Sequence, residues 1–251
     1  MDRLLEATYR AEQHHFWFRG LVRFARPLVE QAVAGVSAPE ILDCGCGTGA
    51  NMKRLSEYGR VTGFDISAAG PAFAQSYDQR RLVQASVTAM PFAEAKFDLV
   101  TVFDMLACLD DQAERRALAE IRRVLRPSGH VLINTAALPF LRGQHAVFGS
   151  EVRRLTKPRL RAALERAGFA VSRITYTNFS LLPLMIPVRL TQRLIGLSTP
   201  EETGADIMVP AAPINNTLSG LVTLEAAALR FVNMPLGSSL LALAQKRSAL
   251  E

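Results

Sequence analysis

The run Ile41-Leu42-Asp43-Cys44-Gly45-Cys46-Gly47-Thr48-Gly49-Ala50 constrains this chain more than any other feature. A short apolar stretch enters a turn with glycine at every second position and leaves it as a helix. Three absent Cβ atoms let a ligand lie against the backbone, and the first helical turn offers N–H groups that have no intrahelical partner. Something flat or anionic can sit there. Asp65 follows 22 residues after Asp43, at the end of the next β-rich run. An acid in that place can bind the two hydroxyls of a ribose, in the crevice of a doubly wound sheet where the strand order reverses. The same glycines satisfy the looser dinucleotide pattern. A dinucleotide turn cradles a pyrophosphate, however, and an acid just ahead of the first glycine would repel it. Asp43 therefore points to a cationic or zwitterionic ligand. Close strand–helix packing is the purely structural use of such a turn.

From residue 40 onward, β-rich runs alternate with amphipathic helical stretches, the pattern of a parallel sheet with crossover helices. The strand candidates are 40–44, 60–65, 81–85, 97–103, 130–135, 169–176 and 238–245. Residues 2–35 read as helical with a break near Gly20. Asp111 can cap a helix, Glu114 completes a capping box, and Pro127 and Gly129 stop it. Another helix runs from Thr156 to Gly168. About sixty residues separate the last two strands, too many for a structureless loop in a compact domain. They hold a Pro-broken apolar helix over 179–197, a connector with Glu201, Glu202 and Asp206, and a second helix through Leu218, Val222 and Leu229. This insertion reads as a lid over a substrate or as a packing or dimer face. The expected division is a helical cap over 1–37, a core over 38–176 and 238–251, and an insertion over 177–237.

Composition sets the class. With 251 residues, the chain is long enough for one large domain or a domain with an appended subdomain. Hydrophobic residues at 49% and charged residues at 21% exclude disordered, collagen-like and coiled-coil chains. The net charge of +6 favours anionic ligands or surfaces without demonstrating any, and solubility is its simpler explanation. Cys44, Cys46 and Cys108 form neither a disulfide ladder nor a C-x-x-C pair, which suits a reducing compartment and gives no metal site. The charged N-terminus lacks a signal sequence and no apolar stretch reaches the ~18 residues of a membrane span, so a cytoplasmic location is expected.

The ordered segments LDCGCGTG, VTGFDIS, ASVTAMPF before FDLVTVFD, and RVLRPSGHVLIN resemble the class I S-adenosylmethionine-dependent methyltransferases over residues 38–175. The resemblance implies an α/β, doubly wound, seven-stranded Rossmann-like sheet with strand seven antiparallel, flanked here by the N-terminal helices and the insertion. It also implies S-adenosyl-L-methionine as cofactor. Asp43, Gly45, Cys46, Gly47 and Gly49 match the motif around its methionine end, Asp65 matches the ribose acid, and Ile66 packs on the adenine. Ser86 and Val87 stand at the adenine edge, where relatives often carry an acid. Phe103 and Asp104 close the fourth strand beside the methyl group, and Cys108 stands where relatives often have histidine.

The segment His14-His15-Phe16-Trp17-Phe18-Arg19 resembles a subgroup with an aromatic-arginine run before the first strand. Arg19 is then expected on the cofactor carboxylate and Trp17 at the methyl site, since aromatic faces attract cations; the alternative is that the aromatics are core contacts of the helix. His145 follows the fifth strand, with Ala146 where relatives can carry an aspartate. His14, His15, His145 and Asp104 are the candidate bases, and none is required, because in-line displacement can draw its rate from positioning alone. Arg153, Arg154, Lys157, Arg159 and Arg161 read as a solvated helix face. The expected partner is a small-molecule methyl acceptor, without nucleic acid, with the protein a monomer or homodimer. Competing readings are a lipid-linked acceptor at a membrane surface, a nicotinamide-dependent (NAD) oxidoreductase, and a cofactor-binding protein without turnover.

Overall fold

A computed structural model describes residues 2–143, 146, 151–195 and 208–247. Seven strands, β1 Glu40–Cys44, β2 Arg60–Asp65, β3 Leu82–Gln84, β4 Phe97–Phe103, β5 Leu125–Ala136, β6 Phe169–Thr177 and β7 Ser239–Lys246, form one sheet. Their order is β3-β2-β1-β4-β5-β7-β6. Strand β7 runs antiparallel to β5 and β6, as the family resemblance implied, and the other pairs are parallel. The order reverses between β1 and β4, whose carboxyl ends therefore flank one crevice. Strand β1 carries apolar residues on both sides because both faces are covered: Ile41, Leu42 and Cys44 are fully buried. Strand β5 starts earlier than its apolar pattern indicates, because Leu125 pairs with Phe97 before the register shifts to Leu99 opposite His130.

Helices cover both faces. They are α1 Asp2–Ala11, α2 Phe16–Ala32, α3 Ala50–Leu55, α4 Gly70–Gln75, α5 Asp111–Val124, α6 Lys157–Arg166, α7 Leu182–Ile195 and α8 Ala212–Ala228. Leu118, Ile121, Leu160 and Leu164 from α5 and α6 fill the core on one face of the sheet. Phe24, Leu28 and Val29 from α2, with Val222 from α8, fill the other. The N-terminal break lies at Glu12–His15 rather than at Gly20. Gly20 is buried inside α2, where a Cβ would come within 2.6 Å of Val222 Cγ1. Its missing side chain is therefore a seat for α8, not a helix stop.

Two further expectations change in the same way. The cap of α5 is Asp110, whose Oδ1 accepts from Ala113 N at 2.8 Å. Glu114 closes no capping box; it is buried and accepts from Arg153 at 2.7 Å and Arg159 at 3.1 Å. Both arginines also bind Asp111, and Arg154 is buried against Glu151 at 3.0 Å. Arg153 and Arg159 thus form no solvated face but tie the segment after β5 and the start of α6 to α5, while Arg161 stays partly exposed and pairs with Glu165 in its own helix. In the insertion, Asn215 accepts from Phe16 N and donates to His14 O, both at 2.9 Å, which joins α8 to the start of α2. Glu225 accepts from Phe179 N and Ser180 N at 2.9 Å and from Ser180 Oγ at 2.6 Å, fixing the approach to α7. His145 and the acids Glu201, Glu202 and Asp206 lie outside the described residues. No helix among the described residues is long and apolar enough to cross a membrane.

Candidate active site

A cavity of about 1030 Å³ opens over the carboxyl ends of β1, β2 and β4. Ligand sites usually span ~300–1,000 Å³, so this one lies at the upper end of that range. Its floor is the glycine turn, where Gly45, Gly47 and Gly49 have φ of 71°, 51° and 84°. That left-handed path suits glycine. The turn is pinned to β2, because Gly45 N and Cys46 N both donate to Phe64 O at 2.9 and 3.0 Å. Gly45, Cys46 and Gly47 face the cavity. Gly49 does not; it caps α3, and a Cβ there would meet Ala74 Cβ at 2.8 Å, so its role is close packing of α4.

Two acids flank the turn. Asp65 lines the cavity, its Oδ2 accepting from Gly47 N at 2.9 Å and its Oδ1 from Ser67 N at 2.8 Å. A carboxylate has about four lone-pair sites, so both oxygens keep capacity for a further donor. Asp43 lies beneath the wall, 1% exposed, with Oδ1 accepting from Thr101 Oγ1 at 2.6 Å. Its Oδ2 has no hydrogen-bond partner. Burial pushes the Asp43 pKa up to about 6, against the Thr101 hydroxyl and with help from the charge of Asp65.

The N-terminal helices contribute differently from the sequence expectation. Trp17 and His15 line the cavity, whereas Arg19 and the exposed His14 are not part of its wall. His15 Nδ1 accepts from Trp17 N at 3.1 Å, so this imidazole serves as the cap of α2. Two unforeseen residues take up the polar side. Glu12, 5% exposed, accepts from Thr48 Oγ1 at 2.8 Å and from the Tyr77 hydroxyl at 3.0 Å, and burial raises its pKa. Arg54 donates to Asn51 Oδ1 at 3.1 Å and to Glu12 O at 3.3 Å, with its pKa lowered by burial. Asn51 and Arg54, three residues apart on α3, both face the cavity. That polar pair on the helix leaving the glycine turn was the available signal in the sequence.

Ile66, Ser86 and Val87 form one end of the cavity, with Ile66 61% exposed within it. Ser86 Oγ and Thr88 Oγ1 are 2.9 Å apart. At the other end stand Phe103, Asp104, Cys108, Glu151 and Arg154. Asp104 has φ of 59°, and Asn134 holds it twice: Asp104 N donates to Asn134 O at 2.8 Å, and Asn134 Nδ2 donates to Asp104 Oδ1 at 2.7 Å. Burial first, then the charge of Glu151, pushes the Asp104 pKa up to about 7, while Asn134 and Arg154 oppose the rise. Asp104 is nonetheless exposed on its cavity side. Water there moderates the shift, and a ligand filling the cavity would complete the enclosure. Cys108 is no thiolate, since burial, Glu151 and Asp104 push its pKa up to about 11.

Residues 42–133 match the family model described as a methyltransferase domain. A probable S-adenosylmethionine-dependent methyltransferase of Mycolicibacterium smegmatis is 29% identical over 63% of this chain and 61% of its own length. A ubiquinone biosynthesis O-methyltransferase of Alkalilimnicola ehrlichii is 32% identical over 43% of this chain and 45% of its own. The chain thus spans about half the length of the curated relatives it matches. Among solved structures, the [4+2]-cyclase SpnF has a TM-score of 0.57 at 19% identity, covering 89% of this chain and 80% of that one. That likeness establishes the fold, and the sequence relatives carry the chemistry. Residues 42–133 thus match a methyltransferase domain, and the relatives matched there are named as methyltransferases, the first of them as S-adenosylmethionine-dependent.

Proposed function

We propose that the protein transfers a methyl group from S-adenosylmethionine to a small-molecule acceptor by in-line displacement inside this cavity. The observation that carries the reading is the continuity of one cavity from the glycine turn and Asp65 to an apolar chamber walled by Trp17, Leu184, Met185 and Val188. When bound, the cofactor supplies a methyl group activated by a positively charged sulfur.

The residues present fit it. The spare lone pairs of Asp65 suit a ribose diol, and Ile66 and Val87 flank the adenine, with Ser86 at its edge. The buried Asp43, with one oxygen unpartnered, favours a cation above the turn. Glu12 strengthens that preference for the ammonium of the methionine end, and Arg54, not Arg19, pairs with its carboxylate. Gly45, Cys46 and Gly47 let that end approach the backbone; Gly49 supports the turn from behind. Trp17 and Phe103 line the space toward the methyl group and exclude water, which strengthens every electrostatic contact inside.

The helices α1 and α2 on one side and α7 and α8 on the other act as covers, joined to each other through Asn215. The ubiquinone biosynthesis relative supports a small organic acceptor. Incubating the protein and cofactor, labelled in its methyl group, with fractionated cell extract tests this. Label is expected in the small-molecule fraction; label confined to protein or nucleic acid would contradict the reading.

A further inference from the structure

Resting on that methyltransferase reading, we infer that Asp104 takes the proton of the methyl acceptor and Asn134 is its positioning residue, so the substrate is an apolar molecule bearing an alcohol or phenol. Three independent features of the cavity converge on this.

The first is backbone conformation. At φ of 59° Asp104 sits in the left-handed region, which aspartate tolerates better than most side chains but which neighbouring contacts must still hold. Asn134, 3% exposed on β5, does so by accepting from the Asp104 amide and donating to its carboxyl. The result aims a carboxyl from the end of β4 into the cavity while leaving Oδ2 for a ligand.

The second is the charge around it. Glu151 and Arg154 form a buried pair at 3.0 Å, Cys108 is neutral, and Arg189 of α7 faces Arg154. Among the described residues these are the charged or titratable groups at this end of the cavity. Burial first, and then the charge of Glu151, holds the Asp104 carboxyl basic, near neutral pH, where a general base is most effective. His15 is committed to the α2 cap through Nδ1, and His14 is outside the wall, so neither competes for the role.

The third is the chamber itself. Leu184, Met185 and Val188 of α7, with Phe16, Trp17 and Leu218, give it an apolar lining. An amine or thiolate nucleophile needs no base here; an alcohol or phenol does. The hydroxyl proton passes to Asp104 Oδ2 while an oxygen lone pair forms the O–CH₃ bond. The S–CH₃ bond breaks with its electron pair staying on sulfur. An ether, a neutral thioether and a protonated Asp104 result, and Asp104 releases its proton to solvent once the product leaves.

The probes are para-octylphenol and its thiol and aniline counterparts, with methyl-labelled cofactor, together with ¹³C NMR of labelled aspartate carboxyls in the protein alone. The expected results are methylation of the phenol and a fall in its kcat of about 100-fold or more in Asp104→Asn. Thiol methylation, whose nucleophile ionises without help, should fall far less than phenol methylation in that variant, so the ratio of the two rates shifts by about 10-fold or more. A carboxyl resonance titrating near neutral pH should vanish in Asp104→Asn, move to lower pH in Glu151→Gln and to higher pH in Asn134→Ala. The acid limb of the phenol rate should follow it in both directions. Full phenol activity in Asp104→Asn, no phenol methylation by protein that binds the cofactor, or an unmoved acid limb would each overturn the assignment. Absence of cofactor binding by the wild-type protein would instead sink the underlying reading.

Discussion

Asp43 is a buried carboxyl held at a cost to the fold. Its pKa rises from 3.8 to about 6, chiefly through burial. The ionised form is therefore the disfavoured one in the folded protein, and stability falls as pH rises through that window. The penalty is at most about 3 kcal/mol above pH 6. Asp43→Asn keeps the shape and can still accept from Thr101. It is expected to raise the midpoint of urea unfolding at pH 8 and to lose that advantage below pH 4, while weakening cofactor binding at both. Equal stability of the two proteins at pH 8 would contradict the buried-charge account. The place of Asp43 beside the glycine turn was legible in the sequence from its position ahead of Gly45. The contributions of Glu12 and Arg54 were not, because nothing local says that a helix break will fold down onto a turn more than thirty residues away.

At the scale of elements, periodicity identified all seven strands, because β-rich runs bounded by turns carry their own signal. The errors fall where tertiary packing decides. Gly20 lowers helix propensity by about 1 kcal/mol, which is why it reads as a break. Its reason for being there is Val222, on a helix some two hundred residues later. The basic run after β5 looks solvated until Glu114 is found buried beneath it. Gly20→Ala therefore sets a propensity gain of about 0.5–1 kcal/mol against an overpacking cost of about 1–3 kcal/mol. Net destabilisation is expected, and Val222→Ala in the same chain should relieve it. Denaturant melts of both singles and the double variant measure this; additive losses would show that the two positions do not share a seat.

For the whole molecule, the sheet supplies the floor of one cavity, and segments from both sides of it in the chain supply the walls. Asn215 ties the insertion to the N-terminal helices, while Glu12 ties those helices to Thr48 beside the glycine turn. The cavity wall at the turn thus includes groups that also hold the N-terminal helices. The measurement that tests this most directly is calorimetric titration of the protein with S-adenosylmethionine and its demethylated product, repeated with Asp65→Ala. One site per chain is expected, weakened about 10- to 100-fold in the variant by loss of charge-assisted hydrogen bonds to the ribose. Absence of binding by the unaltered protein, or affinity unchanged without the Asp65 carboxyl, would contradict the account.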